Sequence, residues 1–267
     1  LNLLIIIDKN LNTIQFTFIQ LSTMFNANIQ IISIEGNIGS GKTTLLKKLK
    51  ETYEKNTKII FLREPVDEWE TIKDNTGQTM LQKFYDDQEK YSFAFQMMAY
   101  ISRLKILRDT VKNIEHEIQK ELHSNSIYYE CNSKFIIITE RSLYTDKYVF
   151  AKMLYDQGKI EDVCYQIYLN WFDEFAKDYP VSKTIYVSTD PEICHSRIHI
   201  RARPGEEIIP LVYLKDCHNY HEEFIYDINT IYQNIFLILD GNINIYENPI
   251  ILETWLSQIN TFIANNK

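Results

Sequence analysis

Glycine and proline are scarce in this chain of 267 residues, at 7 and 6. No stretch is low in complexity, which excludes a flexible or Pro-rich linker, and no internal repeat is present, which excludes solenoids and propellers. A basic excess is also missing. The net charge is −8, and no concentrated run of Lys and Arg offers a polyphosphate footprint, so nucleic acid is not an expected partner. A single bound nucleotide is a different matter, because a few backbone amides and cations in a pocket suffice. The four cysteines, Cys131, Cys164, Cys194 and Cys217, contain no CxxC pair, which suits reduced thiols in a cytoplasmic protein. His218 and His221 have no Cys or third ligand close in sequence, so they read as a helix-face pair rather than a metal site. Long apolar runs are lacking too. Leu3–Ile7 is too short to cross a membrane.

What is present is an ordinary globular mixture, 45% hydrophobic and 24% charged, enough for one large α/β domain or two small ones. The first methionine is Met24. The residues before it carry no basic n-region and no Arg-rich amphipathic segment, so neither a secretory signal nor a transit peptide fits. Residues 1–28 are expected to be an N-terminal extension, dispensable or disordered, with Met24 the working start and one domain over 29–267.

From there the pattern alternates. Strands are expected at 29–34, 58–65, 134–139, 183–188 and 235–240. Helices are expected from Thr43 to Tyr53, over 91–123, 144–157, 160–178, 190–200, 210–230 and 249–264. The stretch 91–123 carries apolar residues at Phe95, Met98, Ile101, Leu104, Leu107, Val111, Ile114 and Ile118, steps of three and four that mark one long amphipathic helix. Strands apolar on both faces, alternating with helices, indicate a five-stranded parallel sheet covered on each side. Sites in such folds lie at the carboxyl ends of the strands.

The first strand runs into Gly36-Asn37-Ile38-Gly39-Ser40-Gly41-Lys42-Thr43-Thr44, which fits G-x-x-x-x-G-K-[ST]. The glycines let successive N–H groups wrap phosphate oxygens, Lys42 reaches the β- and γ-phosphates, and the Thr43 hydroxyl ligates Mg²⁺. The following helix adds its positive end. This motif indicates a nucleoside triphosphate, not which reaction. Glu64, held at a strand end by Pro65, can serve as the base that a hydroxyl acceptor needs. Glu140 and Arg141 end the most apolar strand. They suit magnesium and acceptor, or a structural ion pair. Arg197, Arg201 and Arg203 adjoin Pro204-Gly205, either as a lid closing over phosphates or as an exposed helix end.

In order along the chain, GNIGSGKTT, REPVDEW, YSFAFQ, ERSLYTDKYVF, RARPGEE and IPLVYLKDCHNYHEEF resemble the deoxynucleoside kinase family from about residue 29 to about residue 240. The resemblance implies a P-loop kinase fold with an arginine-rich lid, Mg-ATP as donor, and transfer to the 5′-hydroxyl of a deoxynucleoside. It implies Glu64 as base, Arg141 on the 5′-oxygen, Lys42, Arg201 and Arg203 around the phosphoryl group, and Thr43 and Glu140 for magnesium. Arg197 and the stretch from Asp240 fall on the donor side. Gln96 matches the glutamine that bonds the nucleobase, with Trp69, Phe95 and Phe150 packing round the base. Tyr85 and Glu206 match the pair on the 3′-hydroxyl. Arg103 and Asp146 match the pair of the deoxycytidine and deoxyguanosine kinase branch, which favours those substrates over thymidine. A homodimer is the family habit, with the 95–118 stripe as its surface or else as core.

Two features depart from the pattern: the Pro-Gly in the lid, and a short stretch between Trp69 and Tyr85. The alternatives are a nucleoside monophosphate kinase, against which stands the lack of a thymidylate-type segment, and a non-catalytic accessory subunit, against which stand intact Lys42, Glu64 and Arg141. A chain lacking residues 1–23 is expected to keep full turnover. A loss of kcat on that deletion overturns the expectation.

Overall fold

The computed structural model describes residues 28–124, 134–203, 205–206, 208–231 and 235–264. The expected N-terminal extension lies outside them apart from Asn28, as do Cys131, Pro204 and Glu207. Five strands form one sheet: β1 (Ile29–Glu35), β2 (Ile59–Leu62), β3 (Phe135–Glu140), β4 (Lys183–Ser188) and β5 (Phe236–Asp240), in the order β2-β3-β1-β4-β5. Every pairing is parallel, with Ile31 beside Ile137, Ile34 beside Glu140 and Ile185, and Ile185 beside Leu237. Parallel strands need crossovers, and helices supply them.

Strand residues alternate between two packed layers. On one side Ile32 and Ile34 meet Leu45, Leu46 and Leu49 of α1 (Lys42–Thr52), together with Trp255, Ile259 and Ile263 from the C-terminal helix, Pro249–Ala264. On the other side Ile31 and Ile137 meet Tyr100, Leu107, Ile114 and Ile118 of the long helix Gln88–Ser124. Each such aliphatic side chain contributes about 1.5–3 kcal/mol on full burial. Most of the 95–118 stripe is therefore internal. Phe95, Leu107, Ile114 and Ile118 are buried, whereas Ile101 is exposed. The edges are less apolar in their surroundings than expected. All of β2 is only half-buried, and Ile238 of β5 is exposed.

Between these elements run α2 (Val66–Trp69) and α3 (Met80–Asp86), with the long helix as α4. Thr79 and Gln82 close α3 with a reciprocal capping box, which satisfies two otherwise free N–H groups. After β3 come α5 (Leu143–Thr145), a widened π turn at Asp146–Ala151, α6 (Lys152–Asp156) and α7 (Asp162–Phe175). The last third adds α8 (Pro191–Arg201), α9 (Leu211–Ile231) and α10, the C-terminal helix.

Three local outcomes position the site. The second strand stops at Leu62, short of the expected end. Val66 N–H bonds the Glu64 carbonyl at 2.9 Å, and this turn at Pro65 lifts Glu64 off the sheet. The segment expected as one helix over 144–157 is broken into α5, the π turn and α6, and Asp146 and Phe150, four residues apart on one face, both line the cavity. The P-loop lies close under α8. Gly39 has φ +80, and a Cβ there would sit 2.5 Å from the Cys194 carbonyl oxygen, so only glycine allows the approach.

Candidate active site

Beyond the carboxyl ends of β1, β2 and β3 lies one cavity of about 640 Å³. Lys42 and Glu64 both line it, as do Thr43, Glu140, Arg141 and the lid arginines. The donor motif and the candidate base therefore meet in a single space.

At the P-loop, Gly36, Gly39 and Gly41 all have positive φ, which turns consecutive N–H groups inward. Ile38 to Thr44 face the cavity, whereas Gly36 and Asn37 stand behind it. Asn37 acts as an anchor. Its amide donates to the Leu214 carbonyl of α9 at 2.8 Å, and its own side-chain oxygen accepts from Ile38 N–H. Lys42 Nζ donates to the Asn37 carbonyl at 2.6 Å. Burial, and next the Arg141 charge, lower its pKa to about 7, although Glu140 and Glu64 oppose the shift. An incoming polyphosphate would restore its charge.

Opposite sits a buried lattice of charges. Arg141 Nη1 donates to both Glu64 oxygens, at 2.7 and 2.9 Å. Arg103 ties four segments together: Nε to Asp146 at 2.9 Å, Nη1 to the Glu140 carbonyl at 2.7 Å, and Nη2 to Glu64 at 3.0 Å. Burial by itself would raise the Glu64 carboxyl, but Arg141, Arg103 and Lys42 outweigh it and hold it at about 2. Burial does win at Asp146, which is pushed up to about 6 against the pull of Arg103. Arg141 adopts φ 61, a left-handed conformation that costs a non-glycine residue roughly 1–3 kcal/mol and is found where function over-determines the backbone. Its N–H is fixed to the Ile34 carbonyl at 2.9 Å.

Thr43 Oγ1 donates to Glu140 Oε1 at 2.5 Å, and the second Glu140 oxygen is buried with no hydrogen-bond partner. Oxygen atoms so placed, one of them unsatisfied, fit a hard divalent cation.

The acceptor side is aromatic. Trp69 meets Phe95 edge-on at 5.7 Å, and its indole N–H bonds Ser102 at 2.8 Å. Phe150 lies under the Arg141 guanidinium at 4.9 Å, a cation–π contact. Gln96 is buried and lines the cavity, as do Tyr85 and Glu206. Burial, reinforced by the Glu206 carboxylate, raises the Tyr85 hydroxyl well above its ordinary value. Of two further aromatics, Tyr213 lines the cavity and Phe84 backs the wall from the core. Phe84 stacks on Phe95 at 4.5 Å, and Tyr213 packs edge-on against Phe84 and Tyr85. For Tyr213 a signal existed in the IPLVYLKD block. Phe84 reads as ordinary core.

On the donor side Arg197 Nη1 donates to the carbonyls of Gly241 at 2.8 Å and Ser40 at 3.3 Å, so it clamps the P-loop to the turn after β5. Gly241 and Ile243–Tyr246 line the cavity there. Asp240 does not. It caps that turn by accepting from Asn242 N–H. Arg201 and Arg203 both pair with Glu206, the second at 2.9 Å. The helix that carries Arg201 is capped by Ala202 at φ 49, and Arg203 follows just beyond it. Ile200, among the most exposed apolar side chains at 82%, also lines the cavity.

Comparison with known proteins agrees with this arrangement. Residues 32–264 match the deoxynucleoside kinase family. Human deoxycytidine kinase is 33% identical over 216 residues, 74% of this chain and 75% of that protein. Mitochondrial deoxyguanosine kinase of Xenopus laevis is 30% identical over 219 residues, 77% and 76% of the two chains. Mitochondrial thymidine kinase 2 of Macaca fascicularis is 31% identical over 197 residues, 73% and 64%. With a triphosphate cradle and a carboxylate facing each other across one cavity, this chain belongs to the deoxynucleoside kinase family and is a phosphotransferase that acts on a hydroxyl group.

Proposed function

We propose that the chain transfers the γ-phosphoryl group of Mg-ATP to the 5′-hydroxyl of a deoxynucleoside, with Glu64 as base. The observation that supports this most directly is the shared cavity, in which Lys42 and the Arg141-bound Glu64 converge. Thr43 and Glu140 would hold magnesium, which when bound neutralises charge on the phosphate oxygens. Ile38 to Thr44 would cradle the phosphates, Lys42 would meet the terminal ones, and Arg201 and Arg203 would exchange Glu206 for them. Tyr85 and the freed Glu206 then bond the 3′-hydroxyl, while Gln96 faces the base edge.

A carboxyl held near 2 is a weak base for a free alcohol. It suffices because the hydroxyl proton turns acidic only once the bond to phosphorus is forming, so the proton moves late and lands on Glu64. Arg141 orients both the hydroxyl oxygen and the carboxylate. Closing the lid excludes water that would otherwise accept the phosphoryl group.

Base preference rests on Arg103 and Asp146, both buried at the cavity wall. Asp146 retains acceptor capacity for an exocyclic amino group, as on cytosine or adenine, while the thymine methyl would meet a charged surface. Assembly is proposed as a homodimer. The apolar face available for it is on α7, where Val163, Ile167 and Trp171 recur every four residues and are all exposed. The free thiols of Cys164, Cys194 and Cys217 suit a cytoplasmic site of action, and among the described residues no helix is long and apolar enough to cross a membrane.

Glu64→Gln is expected to lower kcat by about 100- to 10,000-fold while calorimetry still detects nucleoside binding. Near-normal turnover removes Glu64 from the role. Across the four deoxynucleosides with Mg-ATP, deoxycytidine or a purine deoxynucleoside should exceed thymidine in kcat/KM by about tenfold or more, an ordering that a best rate with thymidine would refute. Sedimentation should show a dimer for the native chain and a monomer for Trp171→Glu. A native monomer at micromolar concentration rules the interface out.

A further inference from the structure

Arg141 is only half used by the contacts above. Nη1 alone serves both oxygens of Glu64, and the Nε and Nη2 atoms are buried without an acceptor. Those two N–H groups form the edge of a guanidinium that matches a carboxylate in a two-pronged pair. One strand away lies a carboxyl group with the converse deficiency. Glu35 is 0% exposed, and among the described residues neither of its oxygens has a hydrogen-bond donor.

The fold places the two together. Glu35 ends β1 and Arg141 directly follows β3, one step beyond the register pair of Ile34 and Glu140. Ile32 and Ile34 point towards α1 and α10, so Glu35 points to the opposite face, with its partner Tyr186 of β4. Arg141 reaches that same face, because its guanidinium lies over Phe150 of the π turn. Phe150 in turn meets His221 of α9 at 5.8 Å, and His221 stacks on Tyr186 at 6.3 Å. Glu35, Arg141, Phe150, His221 and Tyr186 thus lie on one face of the sheet, at adjoining strand ends and in a chain of ring contacts. His221 gives one nitrogen to the Cys217 carbonyl at 2.6 Å, and its other nitrogen, Nε2, is buried without a partner. Burial keeps the ring neutral, so Nε2 is an acceptor of no charge. Of these two acceptors, the carboxyl group has two oxygens to satisfy and is the costlier one to leave without a donor.

We propose that Glu35 is a positioning residue for Arg141, receiving its Nε and Nη2 N–H groups directly or through one enclosed water. Arg141 is then gripped from behind by Glu35 while its front edge is shared between Glu64 and the acceptor hydroxyl. Without that rear contact the guanidinium can rotate about its long side chain, and the Glu64 oxygens lose their aim. Glu35 itself touches neither substrate.

This inference rests on the role given to Arg141 above, and a double-mutant cycle tests the two separately. Glu35→Gln keeps shape and volume and is expected to lower kcat about tenfold or more while the nucleoside KM changes less than about threefold; in an Arg141→Ala background the same substitution should change kcat less than about twofold. Equal losses in both backgrounds mean that Glu35 acts on the fold at large, and the proposal fails. Wild-type kcat for Glu35→Gln beside an impaired Arg141→Ala overturns the Glu35 assignment alone. Wild-type turnover of Arg141→Ala overturns both. Should Glu35→Gln not fold, the same cycle is run on Glu35→Asp, which keeps the charge on a shorter arm, with the same reading of outcomes.

Discussion

The site depends on charge being balanced where water is excluded. Lys42, Arg103 and Arg141 are buried together with Glu140 and Asp146, Glu64 lies against them with 12% of its side chain exposed, and no member could be kept there by itself. Arg103 is the tie between subgroups, because its guanidinium reaches the Glu64 carboxylate, the Asp146 carboxylate and the Glu140 backbone carbonyl. Removing any partner leaves an uncompensated charge, so the lattice tolerates change poorly. The same rigidity holds the Glu64 carboxylate in one orientation without help from substrate.

The sheet explains why these groups meet. β1 is central, and β3 is its neighbour on the acceptor side, so the P-loop, Arg141 and Glu64 leave the sheet at adjacent strand ends. Residues separated by nearly a hundred positions, such as Thr43 and Glu140, are thereby in hydrogen-bond contact. Helices α4 and α9 and the π turn then roof the acceptor half, and α8 covers the donor half.

Much of this was legible in the sequence. Five apolar runs gave five strands, Gly36–Thr43 sits where its spacing required, and Pro65 marked the place where Glu64 turns off the sheet. Other parts were not legible for physical reasons. A π turn has no compositional signature, so the break at Asp146–Ala151 could not be read from 144–157. The apolar stripe on α4 has the same spacing whether it faces a core or a partner. Only the packed structure shows that it is largely internal and that α7 carries the exposed face. Arg197, Arg201 and Arg203 were read as a lid closing over phosphates or as an exposed helix end, and their partners were not legible. In the structure Arg197 is committed to two backbone carbonyls, and Arg201 and Arg203 to Glu206.

The double pairing of Glu206 has a further meaning for the empty protein. Arg201 and Arg203 carry their own counter-ion in the chain itself, so any anion that takes their N–H groups has to compete with a carboxylate already tethered beside them.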